Sequence, residues 1–475
     1  MLRACHAAML QRTRLLGITG LAPFLLLTAC AEPARDVTPW SRLLPSEARQ
    51  SINAMMLDAQ GEPAVTGTLL GGFDSTAEPP LAQSDGVFFT MLSDTGKDLW
   101  GGTRGGQRAQ GSSIAVAPNG DVLLLGTFIG PFSPLEEAPT PDSDPTVKTF
   151  LARFDPRGKL LWSKQVGTGK AEEMAIGLSL TTNASGDAFV GGYSQGPLVF
   201  KDDIIVEGQE GFIASYNADG NRQWSQSFEG QVGQITAVVV DASGAVFAAG
   251  NDLGILDYAP SPPIATGPGA FITKLTPYGQ PLFTTRLYSE MYQTPPSIHS
   301  IALSPSGEVV FCGVFAANLT LGAMSFQAQS GVDAFIAKIS GATGQPAWLR
   351  QMQATFGRAD VLAVAVGADE SIYATGQYEG DELTFPGLTF GPTSGVSMFL
   401  AQLDADGQAT DGRLFDHAGR LSTGRALAFD PAGALVLAGH FLGQIELDDQ
   451  ALRSAPDGSS FVSRLALPFA SHRRE

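Results

Sequence analysis

The chain has 475 residues, of which 56 are Gly and 30 are Pro, and only 16% are charged. This composition favours many short strands joined by tight turns over long solvated helices, so we expect an all-β protein. The formal net charge of −18 excludes a basic surface for nucleic acid or for anionic membranes. The three cysteines, Cys5, Cys30 and Cys312, are too few for a disulfide framework.

The first segment of the chain predicts export. Residues 15–29 are apolar and follow Arg3, Arg12 and Arg14, which is the pattern of a secretory signal peptide over residues 1–29. As a helix, the apolar stretch would measure roughly 22 Å, which is short of the ~30 Å hydrocarbon core of a membrane. We therefore expect this segment to be processed rather than to span a membrane.

The end of this segment predicts a lipid anchor. Leu27-Thr28-Ala29-Cys30 resembles the bacterial lipobox, and the resemblance implies that Cys30 receives the lipid and becomes the new N-terminus. Residues 30–39 would then form a tether. Ala31, by analogy with enteric lipoproteins, points to the outer membrane of the bacterial cell envelope. A plain signal peptide with an incidental Cys is the alternative.

A hairpin pattern then recurs along the chain. Two apolar runs flank a turn, as in residues 237–250, and a Gly closes the second run of each copy. These closing glycines recur at roughly 60-residue intervals, at Gly67, Gly126, Gly192, Gly250, Gly313, Gly376 and Gly439. Most copies also have a Gly in the turn, but Glu370 stands in its place in one of them.

A second pattern alternates with the hairpin. It begins with a Phe on a strand that has one apolar face and one partly polar face. A turn with a Gly follows, and then a strand that contains Trp or Phe. The starting residues are Phe88, Phe150, Phe212, Phe271, Phe335, Phe399 and Phe461, and the later aromatics are Trp100, Trp162, Trp224, Phe283 and Trp348, whereas Asp411 breaks the series. Each period therefore holds four strands, A and B in the hairpin, then C and D, which is one propeller blade.

The two ends of the chain complement each other. The last copy stops after its C strand, residues 461–465, whereas Trp40 begins a D-like segment before the first hairpin. We therefore predict an all-β, seven-bladed β-propeller over residues 40–467, with four antiparallel strands per blade. An N-terminal strand would complete the last blade and close the ring without a free edge. Residues 468–475 would form a C-terminal tail.

Segments such as Phe335-Ile336-Ala337-Lys338-Ile339, Trp162-Ser163-Lys164 and Asn119-Gly120-Asp121 carry a resemblance to a known family. They resemble the bacterial seven-bladed β-propeller repeat (SBBP-type) lipoprotein family, and the resemblance covers residues 40–466. It implies the propeller fold and a surface or envelope protein without an assigned chemistry.

The chain shows no local catalytic motif. The histidines, at positions 6, 299, 417, 440 and 472, lack metal-ligand spacing, and Gly101 to Gly106 reads as a flexible loop. The Asp-x-x-Gly segments at Asp58, Asp241 and Asp430 are better explained by turns than by calcium. We expect Cys312 to pack as a small buried hydrophobe and His440 to lie at a strand end. We therefore predict no catalytic residue, metal or cofactor, and a chain that is not an enzyme.

The spans between B and C strands are long and divergent, which favours recognition there. They contain acidic and aromatic residues, namely Asp202, Asp203, Asp257, Tyr258, Asp381, Glu382, Asp448 and Asp449. We predict a monomeric binding or scaffold module for a protein or glycan partner, with a lipid anchor in the membrane and no nucleic acid. One alternative is a propeller hydrolase or quinoprotein, which would need acids, Arg or His converging on the central channel. Another is a subunit of an outer-membrane assembly complex. Residues 94–100 resemble the repeat of quinone-cofactor propellers and of the related outer-membrane assembly lipoprotein, although a turn that ends on a packed Trp is the simpler explanation.

Overall fold

The computed structural model describes residues 38–44, 49–70, 86–105, 107–129, 147–167, 174–196, 198–200, 203–206, 209–228, 233–252, 268–289, 295–415, 421–448 and 450–467. The chain separates into residues 1–36 and residues 37–475, and all described residues belong to the second unit. They form β-strands and no helix, so the described ranges contain no helix that could span a membrane. The predicted signal peptide, Cys30 and the C-terminal tail lie outside them.

Antiparallel four-stranded sheets follow one another along the chain. After β1 (Trp40–Leu43), the first contains β2 (Arg49–Leu57), β3 (Pro63–Leu70), β4 (Gly86–Leu92) and β5 (Asp98–Gly105). The second contains β6 (Gln107–Val116), β7 (Val122–Ile129), β8 (Val147–Phe154) and β9 (Leu160–Val166). The third contains β10 (Met174–Thr182), β11 (Ala188–Gln195), β14 (Gln209–Tyr216) and β15 (Arg222–Phe228), with β12 (Leu198–Phe200) and β13 (Asp203–Val206) as a separate hairpin.

The same order continues to the end of the described chain. The next strands are β16 (Gln234–Val240), β17 (Val246–Asp252), β18 (Gly269–Leu275) and β19 (Pro281–Tyr288), then β20 (Ser297–Leu303), β21 (Val309–Leu321), β22 (Met324–Ile339) and β23 (Pro346–Thr355). They are followed by β24 (Arg358–Val366), β25 (Ile372–Glu379), β28 (Ser397–Leu403) and β29 (Ala409–Phe415), with the hairpin β26 (Glu382–Phe385) and β27 (Leu388–Phe390). Last come β30 (Leu421–Phe429), β31 (Leu435–Leu442), the hairpin β32 (Gln444–Leu447) and β33 (Gln450–Arg453), and β34 (Ser459–Leu465).

The core lies between the faces of successive sheets. Leu125 of β7 and Leu180 of β10, for example, belong to one buried cluster. The A strands of neighbouring sheets also contact one another, as β6 contacts β10 and β20 contacts β24. The middle strand β7 is buried almost throughout, whereas the outer strand β9 alternates between exposed and half-buried positions. Four-stranded sheets packed face to face, with A strands innermost and D strands outermost, are the organisation of a β-propeller.

The predicted loop at Gly101 is wrong, because Gly101 to Gly105 belong to β5. Gly101 lies opposite Thr90 in the β4–β5 register, and Gly106 lies outside the described residues. A Cβ on Gly101 would come within 2.7 Å of the Phe89 carbonyl oxygen, so Gly serves a close backbone approach here.

Several of the long spans between B and C strands form hairpins. β12 pairs with β13, β26 pairs with β27, and the long strands β21 and β22 pair beyond the sheet as far as Leu321 and Met324, with a register shift between Ala316 and Asn318. Leu321 in the overhang of β21 also pairs with Leu287 of β19 in the preceding sheet. These loops therefore join neighbouring sheets by hydrogen bonds, which the repeat pattern alone did not predict.

The tryptophans of the outermost strands connect each sheet to the next. Every indole N–H donates to a carbonyl oxygen in the C–D turn of the following sheet, at 2.7 to 3.0 Å. The pairs are Trp40 with Asp94, Trp100 with Pro156, Trp162 with Ala218, Trp224 with Pro277 and Trp348 with Ala405. The turn glycine packs against the same ring, as Gly158 does on Trp100.

The first described strand pairs with the last one. In the register of β1 with β34, Trp40 lies opposite Arg464 and Leu43 lies opposite Phe461. The Ser41 and Ser463 hydroxyl oxygens are 2.6 Å apart. In addition, β2 of the first sheet contacts β30 and β31 of the last sheet. The N-terminal segment therefore supplies the outermost strand of the last sheet.

Candidate functional site

Each A strand contains a β-bulge at the same place. The register shifts by one residue there, and the residue before the bulge lies opposite the closing glycine of the B strand. The bulged residues, which we call the inner belt, are Asn53, Ser112, Leu178, Thr236, His299, Leu362 and Arg425. Bulges redirect side chains and are over-represented next to active sites, so the inner belt is a candidate functional region.

The bulge explains the closing glycines that the sequence repeats. A Cβ on Gly313 would overlap the carbonyl oxygen of Ser297, and a Cβ on Gly376 would overlap that of Asp360. These glycines have no positive φ, so they are required because the A strand approaches closely and not for a turn. The bulged residue precedes the closing glycine by the same distance in each repeat, as in 313 − 299 = 14.

Three members of the inner belt form hydrogen bonds to the backbone of the next A strand. Asn53 Nδ2 donates to the Gly111 carbonyl oxygen at 2.7 Å, and Thr236 Oγ1 donates to that of Ile298 at 2.7 Å. His299 Nδ1 lies 3.1 Å from the carbonyl oxygen of Val361. In each case the acceptor is the residue just before the next bulge, so the side chain reaches across to the following sheet.

Two members of the inner belt, His299 and Arg425, have polar neighbours on the adjacent strands. We call this group the Arg425 cluster, and it comprises His299 of β20, Asp360 of β24, Gln377 of β25, and Thr423 and Arg425 of β30. Gln377 Nε2 donates to Asp360 Oδ2 at 2.9 Å, and Thr423 Oγ1 donates to Gln377 Oε1 at 3.0 Å. Asp360 interacts electrostatically with both His299 and Arg425. An acid, an imidazole and a guanidinium from different repeats are therefore close enough to influence one another's protonation.

The protonation state of His299 follows from its surroundings. Burial lowers the pKa of His299 and the Arg425 charge lowers it further, while Asp360 and the bond to Val361 oppose this, and the net direction is downward. Because the Val361 carbonyl can only accept, Nδ1 carries the proton of the neutral ring. Nε2 is then unprotonated and can accept a hydrogen bond or a proton.

Arg425 is the cationic group of the cluster. Burial lowers its pKa, and the nearby Asp360 carboxylate raises it. Its Nε is buried and has no hydrogen-bond partner among the described residues. A buried guanidinium donor that is not used internally is suited to an anionic or strongly accepting group of a ligand.

The described residues offer no obvious metal centre. No group of three or more His, Cys, Asp or Glu side chains within these ranges is placed to hold a metal ion. The carboxylates of the Asp-x-x-Gly segments are used inside their own turns, since Asp58 Oδ1 accepts from the N–H groups of Gln60 and Glu62. Asp241 and Asp430 accept in the same way, which confirms the turn interpretation.

The structure locates several other residues singled out from the sequence. Cys312 is fully buried, as predicted, and burial raises the pKa of its thiol. His440 lies within β31 opposite Thr423, not at the strand end. Asp448 forms an ion pair with Arg413 at 3.6 Å. The remaining sites fall outside the described residues, namely Cys30, His6, His417, His472, Asp202, Asp257, Tyr258 and Asp449.

Comparison with known proteins gives similarity in structure only. No family model and no curated protein matches the chain. Similar solved structures include a streptogramin B lyase, with 9% identity, a TM-score of 0.46, and coverage of 90% of this chain and 98% of that one. A quinohemoprotein alcohol dehydrogenase from Comamonas testosteroni has 10% identity, a TM-score of 0.44, and coverage of 90% and 76%. A gluconolactonase from Xanthomonas campestris has 12% identity, a TM-score of 0.36, and coverage of 92% and 99%.

The prediction that the chain is not an enzyme is wrong, because these propeller-like matches are enzymes, although at low identity and low TM-score. The prediction rested on the absence of a local catalytic motif. Residues that come together from different repeats, as His299, Asp360 and Arg425 do, leave no such motif in the sequence. The three activities remain those of the matched proteins.

Proposed function

We propose that this chain is a lipid-anchored, seven-bladed β-propeller of the bacterial cell envelope, of the SBBP type, that binds a ligand with an anionic group at the Arg425 cluster. The binding proposal rests on the N–H group at Nε of Arg425. This donor is buried, and no described residue accepts a hydrogen bond from it. Desolvated charge-assisted hydrogen bonds are among the strongest polar contacts that a protein can offer a ligand.

The proposed closed ring of seven blades is supported by the contacts of both chain ends. The strand β1 pairs with β34, and Trp40 of this last sheet donates to Asp94 in the first one at 2.7 Å. The A strands β2 and β30 also contact each other. In a ring of this kind the inner belt faces the central channel, where ligands of small propellers can be enclosed.

The long B–C spans are a candidate route by which a ligand enters. Each bulge lies at or near the middle of its A strand, as Arg425 does in Leu421–Phe429. Because strands alternate in direction, the B–C spans emerge on the same side of the sheets as the D–A connections. Asp381 and Glu382, singled out from the sequence, belong to one of these spans, so a ligand would pass them on its way to the Arg425 cluster.

The membrane attachment rests on the lipobox resemblance. Nine residues separate Cys30 from Trp40, and at ~3.3–3.6 Å each they would reach at most about 30 Å. The propeller would therefore be held close to the membrane, which we propose to be the outer membrane.

The binding proposal can be tested on the full-length chain extracted in mild detergent. Melting temperatures would be measured at constant ionic strength with acetate, succinate, citrate, phosphate and sulfate. We expect at least one anion to stabilise the wild-type chain and to bind about 10- to 100-fold more weakly to the Arg425→Gln variant. The control Arg413→Gln removes the same charge from the outermost strand β29 and should keep the response. The site would be ruled out if the anion raised the melting temperature equally in the wild type and both variants. It would also be ruled out if no anion stabilised the wild type.

A further inference from the structure

A second candidate site lies between two hairpins, away from the Arg425 cluster. The groove between them has a volume of about 550 Å³ and contacts Phe326 of the β21–β22 overhang, Gln351 and Gln353 of β23, and Leu388 and Thr389 of β27. We call it the Gln353 groove. Its volume is in the range of pockets that hold small ligands.

The floor of the groove is a row of polar side chains across three strands. Gln353 of β23 lies opposite Thr384 of β26, and Thr384 lies opposite Thr389 of β27. Directly opposed residues point to the same face of a sheet, so these three side chains stand side by side. The Pro386-Gly387 turn, with φ +90 at Gly387, brings β27 back beside β26 and sets this register.

Two of these polar groups are available to a ligand. The Gln353 carboxamide and the Thr389 hydroxyl form no hydrogen bond with a described residue, and Thr389 is exposed. Gln351, in contrast, is held in place, because its Nε2 donates to Asp333 Oδ2 at 2.7 Å and to the Gln327 carbonyl oxygen at 3.0 Å. The groove therefore combines a fixed amide with a free amide and a free hydroxyl.

Apolar side chains flank this polar row. Phe326 is half-buried and packs against one hydrophobic cluster, and Leu388 is half-buried and packs against another. Both are anchored by packing and still contact the groove. Their surfaces offer flat apolar contacts beside groups that can both donate and accept hydrogen bonds.

The absence of charged residues from the lining of the groove limits the class of ligand that it can bind. None of the residues that line it is charged, although the whole chain has a net charge of −18. A charged ligand would find no counter-ion in this lining, whereas a molecule with many hydroxyl groups and apolar C–H faces would match the amides, the hydroxyls and the flanking Phe326 and Leu388. We propose that the Gln353 groove binds a neutral saccharide of two or three units. An uncharged peptide is the competing ligand. Its backbone has separate N–H donors and C=O acceptors but no hydroxyl, whereas each hydroxyl of a saccharide can both donate to and accept from the Gln353 carboxamide and the Thr389 hydroxyl.

The test uses the full-length chain in detergent and saturation-transfer NMR, followed by calorimetric titration. The probes are neutral di- and trisaccharides of glucose, mannose, galactose, xylose and N-acetylglucosamine, with trigalacturonic acid and tri-serine as charged and peptide comparisons. We expect a neutral saccharide to bind the wild-type chain. We expect about tenfold weaker binding to Gln353→Leu and to Thr389→Val.

Matched controls separate this site from the rest of the molecule. Gln223→Leu on β15 and Thr95→Val in the turn between β4 and β5 make the same replacements at exposed positions of other sheets and should bind like the wild type. Arg425→Gln should also retain saccharide binding, so this proposal can fail or succeed independently of the anion site. Binding of tri-serine or trigalacturonic acid in preference to every neutral saccharide would overturn the proposal, as would the absence of any saccharide binding or equal binding by Gln353→Leu.

Discussion

His299 donates its Nδ1–H to the carbonyl oxygen of Val361, 3.1 Å away on the neighbouring A strand. This bond joins two sheets at their inner strands and fixes the tautomer of the ring. The Asp360 carboxylate and the Arg425 guanidinium both act on the pKa of this imidazole, the first raising it and the second lowering it. The charged and titratable side chains of the Arg425 cluster therefore lie close to this hydrogen bond.

The lowered pKa of His299 predicts how stability depends on pH. Between its folded-state pKa and the ordinary value of 6.5, the unfolded chain binds more protons than the folded one. The free energy of unfolding should therefore fall as the pH falls below about 7, by up to ~1.4 kcal/mol per pH unit from this residue. Urea unfolding at pH 7.5, 6.5 and 5.5 measures this slope. The His299→Gln variant, which cannot titrate, should show a shallower slope, and an unchanged slope would contradict the assignment.

The tryptophan contacts predict a graded loss of stability. Trp348 is 6% exposed, packs on Gly407 and donates to Ala405. Trp348→Ala should cost about 3–5 kcal/mol of unfolding free energy, and Trp348→Phe much less, because the equivalent position in the preceding repeat is naturally Phe283. Chemical unfolding would compare both with Leu99→Ala, an exposed position on β5 that should change stability by no more than about 0.5 kcal/mol. Equal costs for all three variants would refute the packing role.

The pairing of the chain ends predicts a specific cross-link. Ser41 and Ser463 are direct cross-strand partners, and their hydroxyl oxygens are 2.6 Å apart. The double variant Ser41→Cys, Ser463→Cys should form a disulfide on mild oxidation and gain about 2–4 kcal/mol of stability. Peptide mapping without reductant would detect it. Cys312 is fully buried and should not compete, whereas a linked product of Cys312, or no link at all, would contradict this register.

The lipobox predicts a covalent lipid on Cys30. Bacterial cells that express the full chain should incorporate labelled fatty acid into it, and fractionation should recover the protein with membranes. Cys30→Ala should abolish both, and Cys5→Ala should change neither. Labelling that persists in Cys30→Ala would show that the resemblance at residues 27–30 is incidental.

Much of the fold could be predicted from the sequence because the repeat fixes it. The alternating apolar runs, the Phe strands and the shared register of the tryptophans place the four strands of each sheet, and the matching chain ends place Trp40 beside β34. Glu370, the exception among the turn residues, adopts φ +66 like the glycines in the other copies. Its carboxylate accepts from the Ser306 N–H in the preceding turn at 2.8 Å, which compensates part of the conformational cost.

The candidate sites could not be predicted in the same way. The bulged position holds different residue types in different repeats, such as Asn53, Leu178 and Arg425, so no repeated side chain draws attention to it. In the sequence, the close contact between A and B strands at the bulge is marked only by the closing glycines. The reason for these glycines becomes clear only when the pairing of the two strands is known. The Gln353 groove likewise depends on hairpins that extend from neighbouring repeats and meet only in the folded chain.

The central claim is that His299, Asp360 and Arg425 act on one another at one site, and the pKa of His299 measures this most directly. Histidine-selective labelling and NMR titration of the full-length chain would report it, with His299→Gln identifying the resonance. We predict a value below 6.5 with the proton on Nδ1, a higher value in Arg425→Gln, and a still lower value in Asp360→Asn. A value at or above 6.5 that neither substitution changes would contradict the account.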